Sequence, residues 1–152
     1  MNPPSEVQVL LPQHKDAVLA FAKAQLARRV SDPTESELQS WTAPWRAEAL
    51  DHYLNMGWSY GLFEGETLVG FLLAQPLLFY RGLTQTLWVE HVSAPESQGR
   101  VLLLDTAYRW ARDKHFQCVL VEGSPELLEH IGQWRSARQT SPCWIEIRSA
   151  KF

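Results

Sequence analysis

The feature that most constrains this chain is a strand, loop, helix and strand succession over residues 84–121. Thr84–Val92 (TQTLWVEHV) has strand composition, and Ser93–Gly99 (SAPESQG) is a loop rich in turn residues. Arg100–Lys114 has apolar residues at helical spacing, and Phe116–Val121 (FQCVLV) is a short, mostly apolar strand. Because a crossover helix is the connection that parallel neighbours need, we predict that these two strands pair in parallel.

A predicted hairpin precedes this unit. Trp58–Phe63 and Thr67–Gln75 are typical of strands, and the turn Glu64-Gly65-Glu66 joins them. A first strand is predicted at Glu6–Leu11. Three helices follow it: one at His14–Arg29, one starting at Asp32-Pro33, and one carrying Trp45 and ending at Gly57. Near the end of the chain, a helix starting at Ser124 precedes a strand at Cys143–Arg148. This order predicts an α/β fold with a mixed, mostly antiparallel twisted sheet and helices on both faces.

Length and charge limit the class of protein. The 152 residues fit one domain spanning 1–152, and the net charge of -3 without a basic run disfavours general nucleic-acid binding. No apolar stretch has the length of a membrane span, and the first residues lack the features of a signal peptide, so we expect no membrane association and a cytoplasmic location. The histidines and cysteines fit no metal site, and Cys118 and Cys143 are predicted to be buried thiols.

Two central segments resemble the GCN5-related N-acetyltransferase (GNAT) family. YGLFEGETLVGFLLA (residues 60–74) is similar to the second and third strands of that family, with Gly70 inside the apolar strand. WVEHVSAPESQGRVLLLDTAYRWARDKHFQCVLVE (residues 88–122) is similar to its fourth strand, cofactor loop, third helix and fifth strand. The resemblance implies transfer of an acetyl group from acetyl-coenzyme A, as cosubstrate, to an amine of a small molecule or protein. A homodimer is compatible with the sequence.

The resemblance also implies a cofactor site after the fourth strand. In the family, an Arg/Gln-x-x-Gly-x-Gly/Ala loop at a helix N-terminus holds the pyrophosphate through backbone amides. The corresponding segment here has one glycine and is shorter, and its implied cofactor-binding residues are Ser97, Gln98, Gly99, Arg100 and Val101. The implied strand edge for the pantetheine arm is Val92, Ser93 and Ala94. Either Arg100 contacts phosphate in place of the missing glycines, or Gly99 is a turn residue and Arg100 is solvated.

Two titratable residues are catalytic candidates by the same resemblance. Glu90 matches an acidic position of the family, where a carboxylate takes the proton of the amine directly or through water. The alternative is a solvated or salt-bridged residue, and strand alternation predicts that Glu90 and His91 face opposite ways. The family's tyrosine after the fifth strand is absent, which leaves His130 as a donor to the leaving thiolate or as an ordinary exposed histidine.

The acceptor amine is assigned to residues 31–53 and to the connection Leu77–Gly82. Trp41 and Trp45 are expected to line that pocket more than other tryptophans, which are expected to pack in the core. A second hypothesis is a non-catalytic protein of the same fold that binds a ligand or a protein partner. The altered loop and missing tyrosine favour this second hypothesis, whereas the order of elements and Glu90 favour the enzyme.

Overall fold

The computed structural model describes residues 4–123, 125–131, 137–139 and 144–148. Its strands are β1 Ser5–Val9, β2 Tyr60–Glu64, β3 Thr67–Leu78, β4 Gln85–Ser93, β5 Cys118–Glu122, β6 Ala137–Gln139 and β7 Trp144–Arg148. They form one sheet in the spatial order β1-β2-β3-β4-β5-β7-β6. Only β4 and β5 pair in parallel among these described strands, and the other neighbours are antiparallel. The predicted hairpin, the parallel pair and the mixed, mostly antiparallel sheet are confirmed.

Helices cover both faces of the sheet, as predicted. Their bounds are α1 Lys15–Arg29, α2 Pro33–Ser40, α3 Ala47–Met56, α4 Ser97–Asp113 and α5 Pro125–Ile131, with 3-10 turns at Pro12–His14 and Tyr80–Gly82. The core under α1 and α3 contains Leu50, Phe71 and Leu73, whereas the core under α4 and α5 contains Leu72 and Val89. Alternate residues of β3 therefore serve the two cores, which explains its nearly continuous apolar sequence.

The early helices begin and end at the residues that their sequence favours, with one correction. The Asp32 side chain accepts a hydrogen bond from the Thr34 backbone N–H at 3.0 Å, with Pro33 in the first helical position. Gly57 ends α3 with a φ of 78°, in the left-handed region where glycine is favoured. Trp45 precedes α3 instead of lying within it, because this helix begins only at Ala47.

Two elements in the second half differ from the prediction. α4 begins at Ser97 rather than Arg100, so the last part of the predicted loop is the first turn of the helix. β6 was not predicted, since three residues are too few for an alternation pattern to be visible. Cys118 is buried with 2% of its surface exposed, whereas Cys143 and Ser124 lie outside the described residues. None of the helices in the described part has the length and apolar character needed to cross a membrane.

Small residues bring β3, the end of β4 and the start of α4 close together. A Cβ atom at Gly70 would lie 3.0 Å from the Ala94 Cβ and 3.0 Å from the Ser93 carbonyl oxygen. A Cβ atom at Gly99 would also lie 3.0 Å from the Ala94 Cβ. This close approach fixes how the end of β4 passes into α4.

We expect Gly70→Ala to destabilise the protein by about 1–3 kcal/mol, because the added methyl group meets a backbone carbonyl that cannot move independently. Urea unfolding at neutral pH measures the loss. The double variant Gly70→Ala/Ala94→Gly should recover part of it, since one of the two close contacts is removed while the contact with Ser93 remains. An unchanged unfolding midpoint in Gly70→Ala would contradict the packing described.

Candidate functional site

A bulge in β4 sets the geometry of the site. Leu73 pairs with His91 and the next residue, Ala74, pairs with Val89, so Glu90 is the extra residue of β4. An extra residue bends its strand and redirects the side chains around it. The expectation that Glu90 and His91 face opposite ways is therefore wrong: Glu90 lines a cavity against α3, and His91 lines one against α1 on the same side of the sheet.

The parallel strands diverge at this bulge. Pairing of β4 with β5 runs from Thr86–Cys118 to Val89–Val121, and among the described residues it goes no further. β4 continues for four residues, whereas β5 ends at Glu122 and the chain turns away. A cavity of about 250 Å³ lies where the strands separate. Residues of both strands and of the neighbouring helices line it: Val89, Glu90, His91, Val92, Arg100, Val121, Glu122, Gly123 and Leu127. The edge implied for the pantetheine arm, Val92 and Ser93, therefore lies beyond the last β5 pair, with Ala94 just after it.

Glu90 is held in place by a tryptophan on its own strand. The Trp88 indole Nε1–H donates to the Glu90 Oε2 at 2.7 Å, and the Trp88 ring packs against Trp144 of β7 with centroids 4.8 Å apart. Glu90 is half-buried, and in the described part of the chain no cation forms an ion pair with it. One carboxylate oxygen is thus positioned while the other is available, which suits a proton acceptor. The W-x-E spacing could have indicated this contact from sequence.

Glu90 also lines a cavity of about 330 Å³ beside α3. The lining residues are Pro44, Arg46, Glu48, Ala49, His52, Tyr53 and Glu90. The pKa of Tyr53 is raised to about 12. Burial is the largest cause, the negative charge of Glu90 adds to it, and the positive charge of Arg46 acts in the opposite direction. The Tyr53 phenol therefore keeps its proton at neutral pH. Tyr53 is the last residue of the predicted acceptor region 31–53, but nothing in the local sequence pattern indicates its closeness to Glu90.

The start of α4 lies beside the open end of β4. The Glu96 carbonyl accepts hydrogen bonds from the backbone N–H groups of Gly99 and Arg100, at 3.1 and 3.3 Å. The Glu96 side chain does not cap the helix, and the Gln98 N–H makes no hydrogen bond among the described residues. This N-terminus therefore has the exposed donor groups and positive dipole end that favour an anion. Val101 packs partly against the core of the sheet.

Arg100 fastens this helix start to the end of β4. Its guanidinium donates to the Ala94 carbonyl at 2.7 Å and to the Ser97 hydroxyl at 3.1 Å. Gly99 lies in the first helical turn. The interpretation of Gly99 as a turn residue with a solvated Arg100 is therefore wrong. A contact of Arg100 with phosphate stays a prediction.

A third cavity of about 320 Å³ gathers three arginines that the sequence separates. It lies between the end of α1 and the end of β4, and Arg28, Arg29 and Arg100 all line it. The sequence showed only the pair Arg28-Arg29, which is too small a group of positive charges to indicate an anion site. The fold brings Arg100, which is distant from this pair in the sequence, into the same cavity.

His91 and His130 have different surroundings. His91 packs beside Phe71 with ring centroids 5.3 Å apart, as expected for a packed histidine. Burial, with a smaller contribution from the positive charge of Arg29, lowers the pKa of His91 to about 4, so its ring is neutral at pH 7. His130 is exposed in the last turn of α5 and does not line the described cavities that contain Glu90. Its assignment as an acid stays a prediction.

The lowered pKa of His91 predicts an acid-dependent loss of stability. As the pH falls below 6.5, His91 binds a proton in the unfolded chain, whereas in the folded state it stays neutral down to about pH 4. The contribution of neutral His91 to the free energy of unfolding is therefore complete above pH 6.5 and declines between pH 6.5 and about pH 4. The loss is at most about 3 kcal/mol, since one pKa unit corresponds to about 1.4 kcal/mol and the mostly buried ring keeps some contact with solvent. Urea unfolding at pH 7.5 and 4.5 measures it.

Replacing His91 with Gln should reduce the difference between the two pH values. The matched control is His115→Asn, because His115 is exposed and has a φ of 66°, a conformation that Asn tolerates. If His91→Gln and His115→Asn show the same pH dependence as the unmodified chain, the burial of His91 does not control its protonation.

Comparison with known proteins places this geometry in a recognised fold. The chain is similar to the PaiA N-acetyltransferase of Thermoplasma acidophilum in complex with coenzyme A, at 12% identity and a TM-score of 0.68, over 95% of this chain and 99% of that chain. It is also similar to a GNAT family acetyltransferase of Brucella melitensis in complex with acetyl-CoA, at 14% identity and a TM-score of 0.68, over 97% and 90% of the respective chains. A mutant of agmatine N-acetyltransferase in its apo form gives 12% identity and a TM-score of 0.64, over 93% and 96%.

Sequence comparison adds nothing to this likeness. No protein-family model matches the chain, and no curated protein matches it. At such low identities, a structural likeness establishes the fold. This chain therefore has the fold of the GCN5-related N-acetyltransferases and is a divergent example of it.

Proposed function

We propose that this protein transfers an acetyl group from acetyl-coenzyme A to an amine. The observation that carries the proposal is the end of β4–β5 pairing at Val89–Val121, directly beside the bulged Glu90. An extended acyl carrier can pair with the open edge of β4 while its reactive end lies next to a carboxylate. Two similar structures are complexes with coenzyme A or acetyl-CoA, which supports this use of the opening.

The residues around the opening fit the parts of coenzyme A. Backbone groups of β4 beyond Val89 suit the amides of the pantetheine arm, and the uncapped start of α4 suits the pyrophosphate. We assign Arg28 and Arg29 as further phosphate contacts, because they line a cavity with Arg100 at the same end of β4. Two arginine side chains from α1 would then do part of the work that the missing loop glycines do through backbone amides.

Glu90 has the chemistry of the proton acceptor in this reaction. Acetyl-coenzyme A supplies an activated thioester, and the amine nitrogen forms a bond to the carbonyl carbon as the carbon–sulfur bond breaks. The amine must lose a proton to become a stable amide, and Glu90 accepts it directly or through one water. Trp88 holds the carboxylate at the divergence, so that the acceptor can reach it from the α3 side.

The departing thiolate needs only modest assistance. A free thiol has a pKa of about 8.5, so its anion is a fair leaving group near neutral pH. Tyr53, with a pKa of about 12, is too weak an acid to protonate it efficiently. We keep His130 as the proposed acid, with bound water as the alternative.

Replacing Glu90 with Gln should slow acetylation at neutral pH by about two to four orders of magnitude, because the amine then loses its proton unaided. The rate should climb only at higher pH, where more of the amine is already neutral. A pH–rate profile of the two proteins with one amine measures both effects. The control is Glu64→Gln, which removes the same charge at the end of β2, away from the described cavities. Superimposable profiles would remove Glu90 from the mechanism.

Replacing Arg28 or Arg29 with Gln should weaken coenzyme A binding by about two- to fivefold each, as expected for exposed charge pairs of up to about 1 kcal/mol. Calorimetric titration at low and high salt measures the effect, which salt should diminish. Arg109→Gln is the matched control, since Arg109 is exposed on α4 and pairs with Asp105 at 3.0 Å. Equal affinities in all three variants would refute the α1 contacts, and no binding of coenzyme A by the unmodified chain would favour a non-catalytic binding protein.

A further inference from the structure

The largest described cavity lies away from the strand opening, among α1, α2 and α3. Its volume is about 830 Å³, within the range of sites that hold small molecules. Its lining is mainly apolar with charged residues among them: Leu19, Lys23, Leu26, Ala27, Val30, Ser31, Pro33, Ser36, Glu37, Ser40, Trp41, Trp45, Arg46, Ala47 and Glu48. Its lining includes none of the residues assigned to the cofactor, although Trp45 also lines the cavity that holds Arg28, Arg29 and Arg100.

This cavity adjoins the cavity that contains Glu90. Arg46 and Glu48 line both, and their side chains bond to each other at 2.7 Å, so the ion pair stands between the two spaces. A second hydrogen bond from the Arg46 guanidinium to the Ala43 carbonyl, at 3.2 Å, fixes this wall. Both side chains of the pair are partly exposed to solvent, at 41% for Arg46 and 78% for Glu48, so a ligand in the large cavity can extend over the ion pair toward Glu90.

The two cavities differ in chemical character. Two cations, Lys23 and Arg46, balance two anions, Glu37 and Glu48, around the large cavity, and the remaining lining is chiefly aliphatic or aromatic. Around the smaller cavity, the two carboxylates of Glu48 and Glu90 outnumber the single guanidinium of Arg46. The small cavity thus favours a cationic amine before it reacts, whereas the large cavity favours an uncharged apolar group.

Two tryptophans line the large cavity. Trp45 is buried, with 4% of its surface exposed, whereas Trp41 is 64% exposed. Exposure of an indole to this extent leaves a large apolar area in water, which a bound apolar group would cover. A short polyamine covers less of that area, and its second charge meets no net negative charge there, because Lys23 and Arg46 balance Glu37 and Glu48.

We infer that the preferred acceptor is a primary amine carried on an aromatic or long aliphatic group, an arylalkylamine or alkylamine. Its apolar body lies against Trp41 and Trp45, and its nitrogen passes the Arg46–Glu48 pair to reach Glu90. This inference rests on the proposed acetyl transfer and names its substrate class. The large cavity then determines which amine is acetylated, while Glu90 acts on all of them.

The test compares amines and variants by steady-state kinetics. Tryptamine and octylamine represent the inferred class, agmatine represents a doubly charged amine, and ethanolamine has no apolar body. We expect KM for tryptamine to be at least about tenfold below that for ethanolamine, and Trp41→Ala to raise it by about two- to tenfold, the range of aromatic contacts. The kcat should not change, because contact with the body is equal in ground and transition states.

The matched control is Trp110→Ala. Trp110 is 40% exposed on α4, on the opposite side of the sheet, and lines neither cavity. Its removal should leave every KM unchanged, and Trp41→Ala should leave the KM for ethanolamine unchanged. Direct binding of tryptamine without acetyl-coenzyme A, measured by saturation-transfer NMR, gives a readout that does not depend on turnover.

The outcomes separate the two proposals. Efficient acetylation with similar KM values for all four amines, or a preference for agmatine or for a lysine peptide, would refute the inferred class and leave acetyl transfer standing. Tryptamine binding that Trp41→Ala weakens, with no acetylation of any amine, would support the pocket and refute the enzyme. Absence of tryptamine binding would refute the pocket.

Discussion

The site depends on one constraint, which is that the parallel hydrogen bonding between β4 and β5 stops before β4 ends. Pairing is regular up to Val89–Val121, after which β4 carries the extra residue Glu90 and β5 ends one residue later. A bulge bends its strand, so the two strands separate where backbone groups of β4 would otherwise be satisfied by β5. The same residue that opens the sheet also supplies the carboxylate at the opening. The separation of the strands and the position of the carboxylate are thus two consequences of the same β-bulge.

The sequence predicted the fold well because the patterns that determine strand pairing here lie in short, continuous segments of the chain. The turn Glu64-Gly65-Glu66 and the amphipathic helix before β5 determine the pairings on either side of them, and both pairings were confirmed. The bulge was not predicted, since TQTLWVEHV is a good strand whether or not one residue is unpaired. Its consequence, the shared orientation of Glu90 and His91, was therefore missed. The closeness of Tyr53 to Glu90 likewise depends on how layers pack, which periodicity does not encode.

The junction of β4 with α4 shows how a glycine-poor segment can still present a helix N-terminus. Gly70, Ala94 and Gly99 lie close enough that added methyl groups would collide, which brings the helix start against the sheet. Arg100 then bonds to the Ala94 carbonyl and the Ser97 hydroxyl and holds the junction from outside. Backbone amides remain available for an anion, and further positive charge comes from Arg28 and Arg29 of α1. A motif search examines the loop alone, whereas the anion environment here is assembled from two helices.

Glu90 is the point at which the spaces of the molecule meet. It lines the cavity between the diverging strands and also the cavity under α3, and the latter shares Arg46 and Glu48 with the large apolar cavity. A bulged residue can reach both spaces because it lies at the edge of the opening rather than within a paired face. A group bound between the strands and a group bound against α3 would therefore approach the same carboxylate from two directions. In the proposed reaction, discrimination among acceptors would then depend on α1, α2 and α3, whose side chains can vary without changing the strands proposed to hold the acyl donor.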